Sequence, residues 1–304
     1  MTADAPASPQ AEVEITPELV RALLHDQQAD LAHLPIRLLD AGWDNVMLRI
    51  GDDLLARLPR RAIAEALLKN EQAWLPRLAP RLPLPIPAPV RTGMPGAGYP
   101  FVWSILPWIE GEAADLAPPD SSEAPVLARF LRAVHQPAPA DAPRNAVRDC
   151  PLTGKQADTE RRMAILKRET DAITPAIEQV WSEALTAPMD LTQTWIAGDV
   201  HARNVLVHQG KLAAFIDWGD MCAGDAATDL ASVWSLFDDS RARAEAVAAY
   251  GMSGATCSRA MGWAVFYGVI LLETGRRDTP RHAAMGEAIL RRLSEDVGLS
   301  GRPI

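Results

Sequence analysis

The most constraining feature of this 304-residue sequence is a short pair of apolar runs in a region whose pattern is otherwise helical. The runs Asn204 to Val207 and Leu212 to Ile216 flank a short polar turn, and this pattern predicts a compact hairpin. Asp199 and Asn204 precede the hairpin in a loop, and Asp217 follows it directly. Because a hairpin brings its outer ends together, we expect these three side chains to gather at one edge.

The chain before residue 108 has the pattern of a small antiparallel sheet with two helices. Short apolar runs separated by Gly and Asp turns predict a meander, and a glycine-rich turn predicts a further strand pair. Thr16 before Pro17 is a helix start signal, and the Ala-, Leu- and Glu-rich stretch to Leu78 is typical of a helix. The predicted strands are 36–39, 46–50, 54–58, 91–92 and 101–106, and the second helix is Ala62 to Leu78.

The chain after residue 107 is mainly helical in pattern, apart from the hairpin region. The predicted helices are 124–135, 159–173, 177–185, 226–236, 241–250 and 259–273. Residues 1–12 are rich in Ala, Pro and Ser without periodicity, which predicts a disordered tail. We therefore predict an α+β chain with an antiparallel-sheet N-lobe at 13–107 and a helical C-lobe at 108–304.

Charge, cysteine content and the first residues exclude several classes of protein. The formal net charge is -9, whereas a nucleic-acid binder normally carries a basic face, so we expect no nucleic-acid partner. The three cysteines form no CxxC pair and have no metal-ligand spacing with the histidines, which indicates neither a disulfide framework nor a zinc site. No apolar run has the length of a membrane span, and no secretion signal precedes the fold. We expect a soluble, cytoplasmic protein.

The loop before the hairpin carries the chemistry of phosphoryl transfer. That reaction needs a carboxylate near the attacking hydroxyl and oxygen ligands for magnesium. Gly198-Asp199 followed by Asn204, and then Asp217 to Asp220, resembles the signatures of the aminoglycoside phosphotransferase family. The resemblance implies a two-lobed protein kinase-like fold. It also implies that Asp199 orients the acceptor hydroxyl and accepts its proton, while Asn204 and Asp217 hold magnesium on the phosphates of ATP or GTP.

The same resemblance implies a nucleotide site in the N-lobe. Arg57 occupies the position of the phosphate-binding lysine on the third strand, with Glu71 on the following helix as its partner. Solvated surface positions are the alternative for both residues. The segment 41–45 takes the place of the glycine-rich loop with a single glycine, and Pro107-Trp108 begins the linker where a base could bind. Ordinary packing of Trp108 is nearly as well supported.

Several residues of the resemblance are expected to be structural. Ala197 stands where the family usually has a histidine that supports the loop. We expect this difference to affect the rigidity of the loop more than its chemistry. Asp229 is expected to tie the loop to the helix that follows it, and His135 to pack on a helix face. His201 either contacts substrate or caps a turn. The acidic residues that could face a cationic substrate, with solvated surface as the default, are Asp220, Asp225, Asp238, Asp239 and Glu273.

We therefore predict an ATP- or GTP-dependent phosphotransferase that acts on a hydroxyl of a small molecule, with an aminoglycoside-like or related antibiotic as the acceptor. A kinase of a small metabolite such as an amino-alcohol has the same motifs. A catalytically silent relative is the alternative from another class, because of Ala197, Arg57 and the glycine-poor segment. Protein kinase activity is disfavoured, since no APE motif or long activation segment follows Asp217.

Overall fold

A computed structural model describes residues 10–42 and 44–300 of the chain. The chain divides into an N-terminal unit, Met1–Arg81 with Pro85–Glu110, and a C-terminal unit, Leu82–Leu84 with Gly111–Ile304. Most of the predicted tail, residues 1–9, lies outside the described residues. The predicted boundary after residue 107 and the roles given to the two lobes stay predictions.

The N-terminal unit contains a five-stranded antiparallel sheet and two helices. Its strands have the order β1-β2-β3-β5-β4, so the predicted meander and the second strand pair join in one sheet. The elements are α1 Pro17–Gln27, β1 Ile36–Ala41, β2 Asn45–Ile50, β3 Leu54–Pro59, α2 Ala62–Leu78, β4 Arg91–Gly93 and β5 Trp103–Pro107. The predicted strands and both predicted helices are confirmed.

Alternating side chains explain the core of this unit. In β2, Val46, Leu48 and Ile50 are buried while the residues between them are half-buried, as period-2 patterning requires. Leu23 and Leu24 of α1 are fully buried in the same cluster. Each such leucine contributes about 1.5–3 kcal/mol through removal from water.

Both helices of this unit have identifiable N-terminal caps. The Thr16 hydroxyl accepts a hydrogen bond from the Leu19 N–H at 3.2 Å, as the sequence predicts for α1. The α2 cap comes from a distant residue, because the Glu12 carboxylate accepts from the Ala62 N–H at 3.1 Å. The Glu12 N–H also donates to the Arg60 carbonyl at 2.9 Å. Glu12 therefore makes ordered contacts at a position that the sequence assigns to the tail.

The C-terminal unit is mainly helical, with two small sheets. Its helices are α3 Ala124–Val134, α4 Gln156–Glu169, α5 Pro175–Thr186, α6 Ala227–Leu230, α7 Ser232–Leu236, α8 Ser240–Tyr250, α9 Gly254–Asp278 and α10 Pro280–Ser300. Its strands are β6 Glu112–Ala113, β7 Thr194–Ile196, β8 Val205–His208, β9 Lys211–Phe215 and β10 Cys222–Gly224. The resulting α+β architecture confirms the predicted fold class.

The sheets contain the predicted hairpin and add strands to it that the sequence did not predict. Strands β8 and β9 form the predicted hairpin, but β6 pairs with β8 and makes a three-stranded sheet. Strand β7, directly before the Asp199 loop, pairs with β10, in which Cys222 lies opposite Ile196. Neither β6 nor β10 was predicted, because two or three residues are too few to show a period.

The helices differ from the prediction at two places. The predicted helix 226–236 is broken at Ala231 into α6 and α7, and α10 was not predicted at all. Helices α9 and α10 approach so closely that a Cβ at Gly286 would lie 2.4 Å from the Leu272 nitrogen. The segment Gly254–Arg277 of α9 is long and apolar enough to span a membrane, and 78% of its most apolar window is buried inside the fold. That burial is typical of a core helix.

Candidate active site

The Asp199 loop, which we define as residues 197–204, connects β7 to β8. Gly198 has φ of 85°, and a Cβ there would lie 2.6 Å from the Asp220 carbonyl oxygen, so this position requires glycine. The loop ends in a 3-10 turn, Ala202–Asn204, that His201 caps by accepting the Arg203 N–H at 3.2 Å. His201 was predicted either to contact substrate or to cap a turn, and the structure shows that it caps the turn.

Asp229 holds the start of this loop through its backbone. Its two carboxylate oxygens accept the Ala197 N–H at 2.7 Å and the Gly198 N–H at 2.8 Å. The His135 ring lies 3.3 Å from the same carboxylate and 2.9 Å from the Tyr250 hydroxyl, and both Asp229 and His135 are buried. The expected structural roles of Asp229 and His135 are confirmed.

The Asp199 carboxylate lies among three partners. Arg148 donates to one of its oxygens at 2.8 Å, and the Asn204 amide nitrogen is 3.3 Å from the other. The His201 Nε2 lies 3.5 Å from that second oxygen. Burial raises the pKa of Asp199, but His201, Arg148 and Asn204 outweigh burial and lower this pKa to about 2. The carboxylate is therefore ionised at neutral pH.

Asn204 and Asp217 meet at the outer end of the β8–β9 hairpin. Val205 pairs with Phe215, and the next residue outward, Ile216, donates its N–H to the Asn204 carbonyl at 2.8 Å. Asp217 has φ of 60°, an uncommon conformation for a residue other than glycine, asparagine or aspartate, and its side chain is exposed. The hairpin therefore brings the backbone at the two predicted magnesium ligands to the same end.

The amide and carboxylate fit the chemistry of magnesium. Asn204 uses its side-chain nitrogen toward Asp199, with a second hydrogen bond to the Asp199 carbonyl at 3.0 Å, so its remaining polar atom is an oxygen. Mg²⁺ prefers oxygen ligands and in nucleotide sites commonly takes one or two from the protein and the rest from phosphates and water.

Arg57 and Glu71 form a buried ion pair in the N-terminal unit. The Arg57 guanidinium lies 2.9 Å from each carboxylate oxygen of Glu71, and the two residues are 8% and 1% exposed. Removal of one partner from such a pair leaves a buried charge uncompensated. The structure thus brings together the two residues that the sequence predicts as partners, and both are buried rather than solvated.

Trp108 is engaged within its own unit. Its N–H donates to the Asp53 carbonyl at 2.7 Å, its ring nitrogen donates to Glu110 at 2.6 Å, and the Arg49 guanidinium lies 3.5 Å above its ring. Pro107 ends β5 and has no N–H to donate. Trp43, in the segment predicted to replace the glycine-rich loop, lies outside the described residues.

The five acidic residues named as candidates for a cationic substrate all have partners. Arginines bind four of them, and Asp239 caps α8 by accepting the Arg241 N–H at 2.9 Å. The pairs are Asp220 with Arg148, Asp225 with Arg259, Asp238 with Arg291 and Arg292, and Glu273 with Arg162 and Arg277. Arg148 was not predicted, and no local pattern marks it, since it lies 51 positions before Asp199.

The comparison with known families decides the class of this chain. The sequence model described as the phosphotransferase enzyme family, APH, matches residues 35–263, which is well over half of the chain. The chain belongs to this family. The predicted family and the predicted enzyme class, a phosphotransferase with an alcohol group as acceptor, are thus confirmed. No curated protein sequence matches this phosphotransferase significantly.

Solved structures share the fold of this phosphotransferase at low sequence identity. The GDP complex of aminoglycoside 2'-phosphotransferase-IIIa has 17% identity and a TM-score of 0.63, covering 90% of this chain and 96% of that one. Aminoglycoside phosphotransferase APH(2'')-Ib with ADP has 18% identity and a TM-score of 0.59, covering 92% and 99%. Macrolide 2'-phosphotransferase MphH from Brachybacterium faecium has 21% identity and a TM-score of 0.55, covering 90% and 98%. The likeness confirms the predicted kinase-like fold.

Proposed function

We propose that this phosphotransferase moves the γ-phosphoryl group of ATP or GTP to a hydroxyl group of a small molecule in a magnesium-dependent reaction. The observation that carries the proposal is the convergence of Asp199, Asn204 and Asp217. Asn204 donates to the Asp199 carbonyl at 3.0 Å and accepts at its own carbonyl from the N–H of Ile216, the residue before Asp217, at 2.8 Å. Phosphoryl transfer depends mainly on positioning and on charge stabilisation, and this arrangement serves both.

Asp199 has the properties of a residue that orients a hydroxyl. Its pKa of about 2 keeps it ionised, so it accepts a hydrogen bond from an acceptor hydroxyl at neutral pH. A carboxylate with this pKa is a weak base toward an alcohol. It therefore takes the proton late, when bonding to phosphorus has made the hydroxyl more acidic.

Asn204 and Asp217 would hold magnesium through their side-chain oxygens. When bound, the ion neutralises charge on the nucleotide phosphates. In the N-terminal unit, Arg57 is proposed to bind phosphate, with Glu71 fixing its guanidinium by the 2.9 Å contacts. Residues 13–107 would then serve the nucleotide, with Pro107 and Trp108 next to its base, and residues 108–304 the acceptor. The bound GDP and ADP in the two aminoglycoside phosphotransferase structures support a nucleotide donor.

The acceptor that we propose is an aminoglycoside or a related antibiotic, and modification of such a compound in the cytoplasm would confer resistance. The similarity to aminoglycoside and macrolide phosphotransferases supports this class. The arginine pairing of Asp220, Asp225 and Glu273 favours the second candidate, an acceptor with few amino groups, because a polycation requires unneutralised carboxylates. That candidate is a small metabolite such as an amino-alcohol.

The test is magnesium-dependent nucleotide consumption with ATP and GTP against aminoglycosides, macrolides and amino-alcohols. We expect one acceptor to stimulate turnover, and we expect Asp199→Ala to abolish it. Asp171→Asn, a change at an exposed carboxylate, is the matched control and should keep wild-type activity. Nucleotide binding without turnover on any acceptor would favour the catalytically silent alternative instead.

A further inference from the structure

Arg148, which lies outside the Asp199 loop, contacts the Asp199 carboxylate. It lies between α3 and α4, and its side chain is 13% exposed. One terminal nitrogen donates to Asp199 Oδ1 at 2.8 Å, and Nε donates to Asp220 Oδ2 at 2.8 Å. The guanidinium therefore holds two carboxylates in one planar geometry, which a lysine cannot reproduce.

Other residues fix Arg148 itself. Its second terminal nitrogen donates to the Tyr267 hydroxyl at 3.1 Å, and that hydroxyl donates to the Gly198 carbonyl at 3.1 Å. Asn145 donates to Asp220 Oδ1 at 2.9 Å, and its own side-chain oxygen accepts the Val147 N–H at 3.0 Å. Tyr267 thus contacts both Arg148 and Gly198, the residue before Asp199.

We propose that Arg148 is a positioning residue that fixes the Asp199 carboxylate for its contact with the acceptor hydroxyl. This inference rests on the proposed function of Asp199. The family resemblance expects a histidine at position 197 to support the loop, and Ala197 offers no polar side chain. Arg148 supplies a side-chain contact to Asp199 and Tyr267 one to the Gly198 carbonyl, both from other parts of the chain, while Asp220 holds Arg148. A displacement of the carboxylate by about 1 Å is enough to slow such a reaction by about 100-fold.

The kinetic test compares Arg148→Met, Arg148→Lys and a matched control, Arg144→Met. Arg144 lies in the same segment, is 75% exposed and pairs with Asp149. For Arg148→Met we expect kcat to fall by about 10–100-fold while the KM for nucleotide changes by less than about twofold, since positioning acts on the transferred group. Arg148→Lys should retain an intermediate kcat, and Arg144→Met should match wild type.

One kinetic result would overturn the proposal, namely a kcat per folded molecule of Arg148→Met within about twofold of wild type. If the melting temperature of that variant is also lower, Arg148 only supports the fold.

An activity-independent test uses a double-mutant cycle on the urea midpoints of wild type, Arg148→Met, Asp199→Asn and the double variant. We expect the shift caused by Arg148→Met to differ between the wild-type and Asp199→Asn backgrounds, because the two side chains interact. Additive shifts would overturn the contact. A wild type inactive with every acceptor would contradict the proposed function, and the cycle would then decide separately whether Arg148 holds Asp199.

Discussion

At the scale of single residues, backbone groups fix the start of the Asp199 loop. The Asp229 carboxylate accepts the N–H groups of Ala197 and Gly198, and the Tyr267 hydroxyl donates to the Gly198 carbonyl. Both the N–H and the carbonyl of Gly198 therefore have hydrogen-bond partners. The side chain of Ala197 has no polar atom to add. Rigidity of the loop therefore depends on Asp229 and on the left-handed conformation of Gly198.

Gly198→Ala is expected to destabilise the protein by at least about 2 kcal/mol. The added Cβ forces a positive φ on alanine and lies 2.6 Å from the Asp220 carbonyl oxygen. Gly254→Ala is the matched control, because no atom lies within 4 Å of its added Cβ. That change, at the first residue of α9, should be neutral or stabilise by up to about 1 kcal/mol. Urea denaturation measures the stability of both variants. Equal stabilities of Gly198→Ala and Gly254→Ala would contradict the requirement for glycine at position 198.

Asp199→Asn is expected to lower stability more at pH 6 than at pH 3. The pKa of Asp199 in the folded protein, about 2, lies below the ordinary aspartate value of 3.8. Ionisation of Asp199 therefore contributes its full stability above about pH 4, and this contribution is lost as the pH falls through 2. The difference between wild type and variant should shrink by about 1 kcal/mol from pH 6 to pH 3. A pH-independent difference in urea midpoints would show that Asp199 is not held in its ionised form.

The site was predictable from sequence only where its members lie close together along the chain. Asp199, Asn204 and Asp217 surround one hairpin, and their spacing alone predicts that they meet. Arg57 and Glu71 were predicted as partners from the family resemblance, which the order of strand and helix supports. Arg148 lies 51 positions from Asp199, and Tyr267 lies 69 positions from Gly198. The contact of Arg148 with Asp199 and that of Tyr267 with Gly198 arise from tertiary packing, which leaves no periodic or local signal.

At the scale of elements, close packing of α9 against α10 depends on glycine. A Cβ at Gly275 would lie 2.2 Å from the Ala283 nitrogen, and one at Gly286 would lie 2.4 Å from the Leu272 nitrogen. The backbones of the two helices are in direct contact at these positions. Gly286 also explains why α10 was not predicted, because a glycine inside a helical run lowers the expectation of a helix.

Gly286→Ala is expected to destabilise the protein by about 2–3 kcal/mol, because the two helices must separate to admit one methyl group. Glu287→Ala, at the neighbouring exposed position, should change stability by less than about 0.5 kcal/mol. Thermal and urea denaturation measure the two variants. A Gly286→Ala protein as stable as wild type would contradict the backbone contact.

At the scale of the whole molecule, the pattern of strands followed by helices predicted the fold class, and short strands and one helix were missed. The long regular elements have enough residues to show a period, whereas β6 has two. The net charge of -9 argues against a nucleic-acid partner, and this stays a prediction. Binding of a nucleotide with magnesium should stabilise the whole folded chain by mass action.

Nucleotide with magnesium is expected to raise the melting temperature of wild type. At a nucleotide concentration of about 100 times Kd, stabilisation is about 2.7 kcal/mol. Removal of magnesium with a chelator should reduce this shift, and Asp217→Asn should lose the magnesium-dependent part of it. Asp171→Asn is the matched control at an exposed carboxylate and should behave as wild type. A full magnesium-dependent shift in Asp217→Asn would contradict the metal role of Asp217.

Asp229 supports the loop through two peptide N–H groups and not through a side chain at position 197, and this affects how relatives of this enzyme are recognised. Every amino acid except proline carries such an N–H group, so this support does not depend on a histidine side chain at position 197. A small side chain that fits the buried site of Ala197 keeps both hydrogen bonds of Asp229. Pattern searches that demand a histidine there would overlook members such as this chain, while searches anchored on Gly198, Asp199 and the distant Asp229 would retain them.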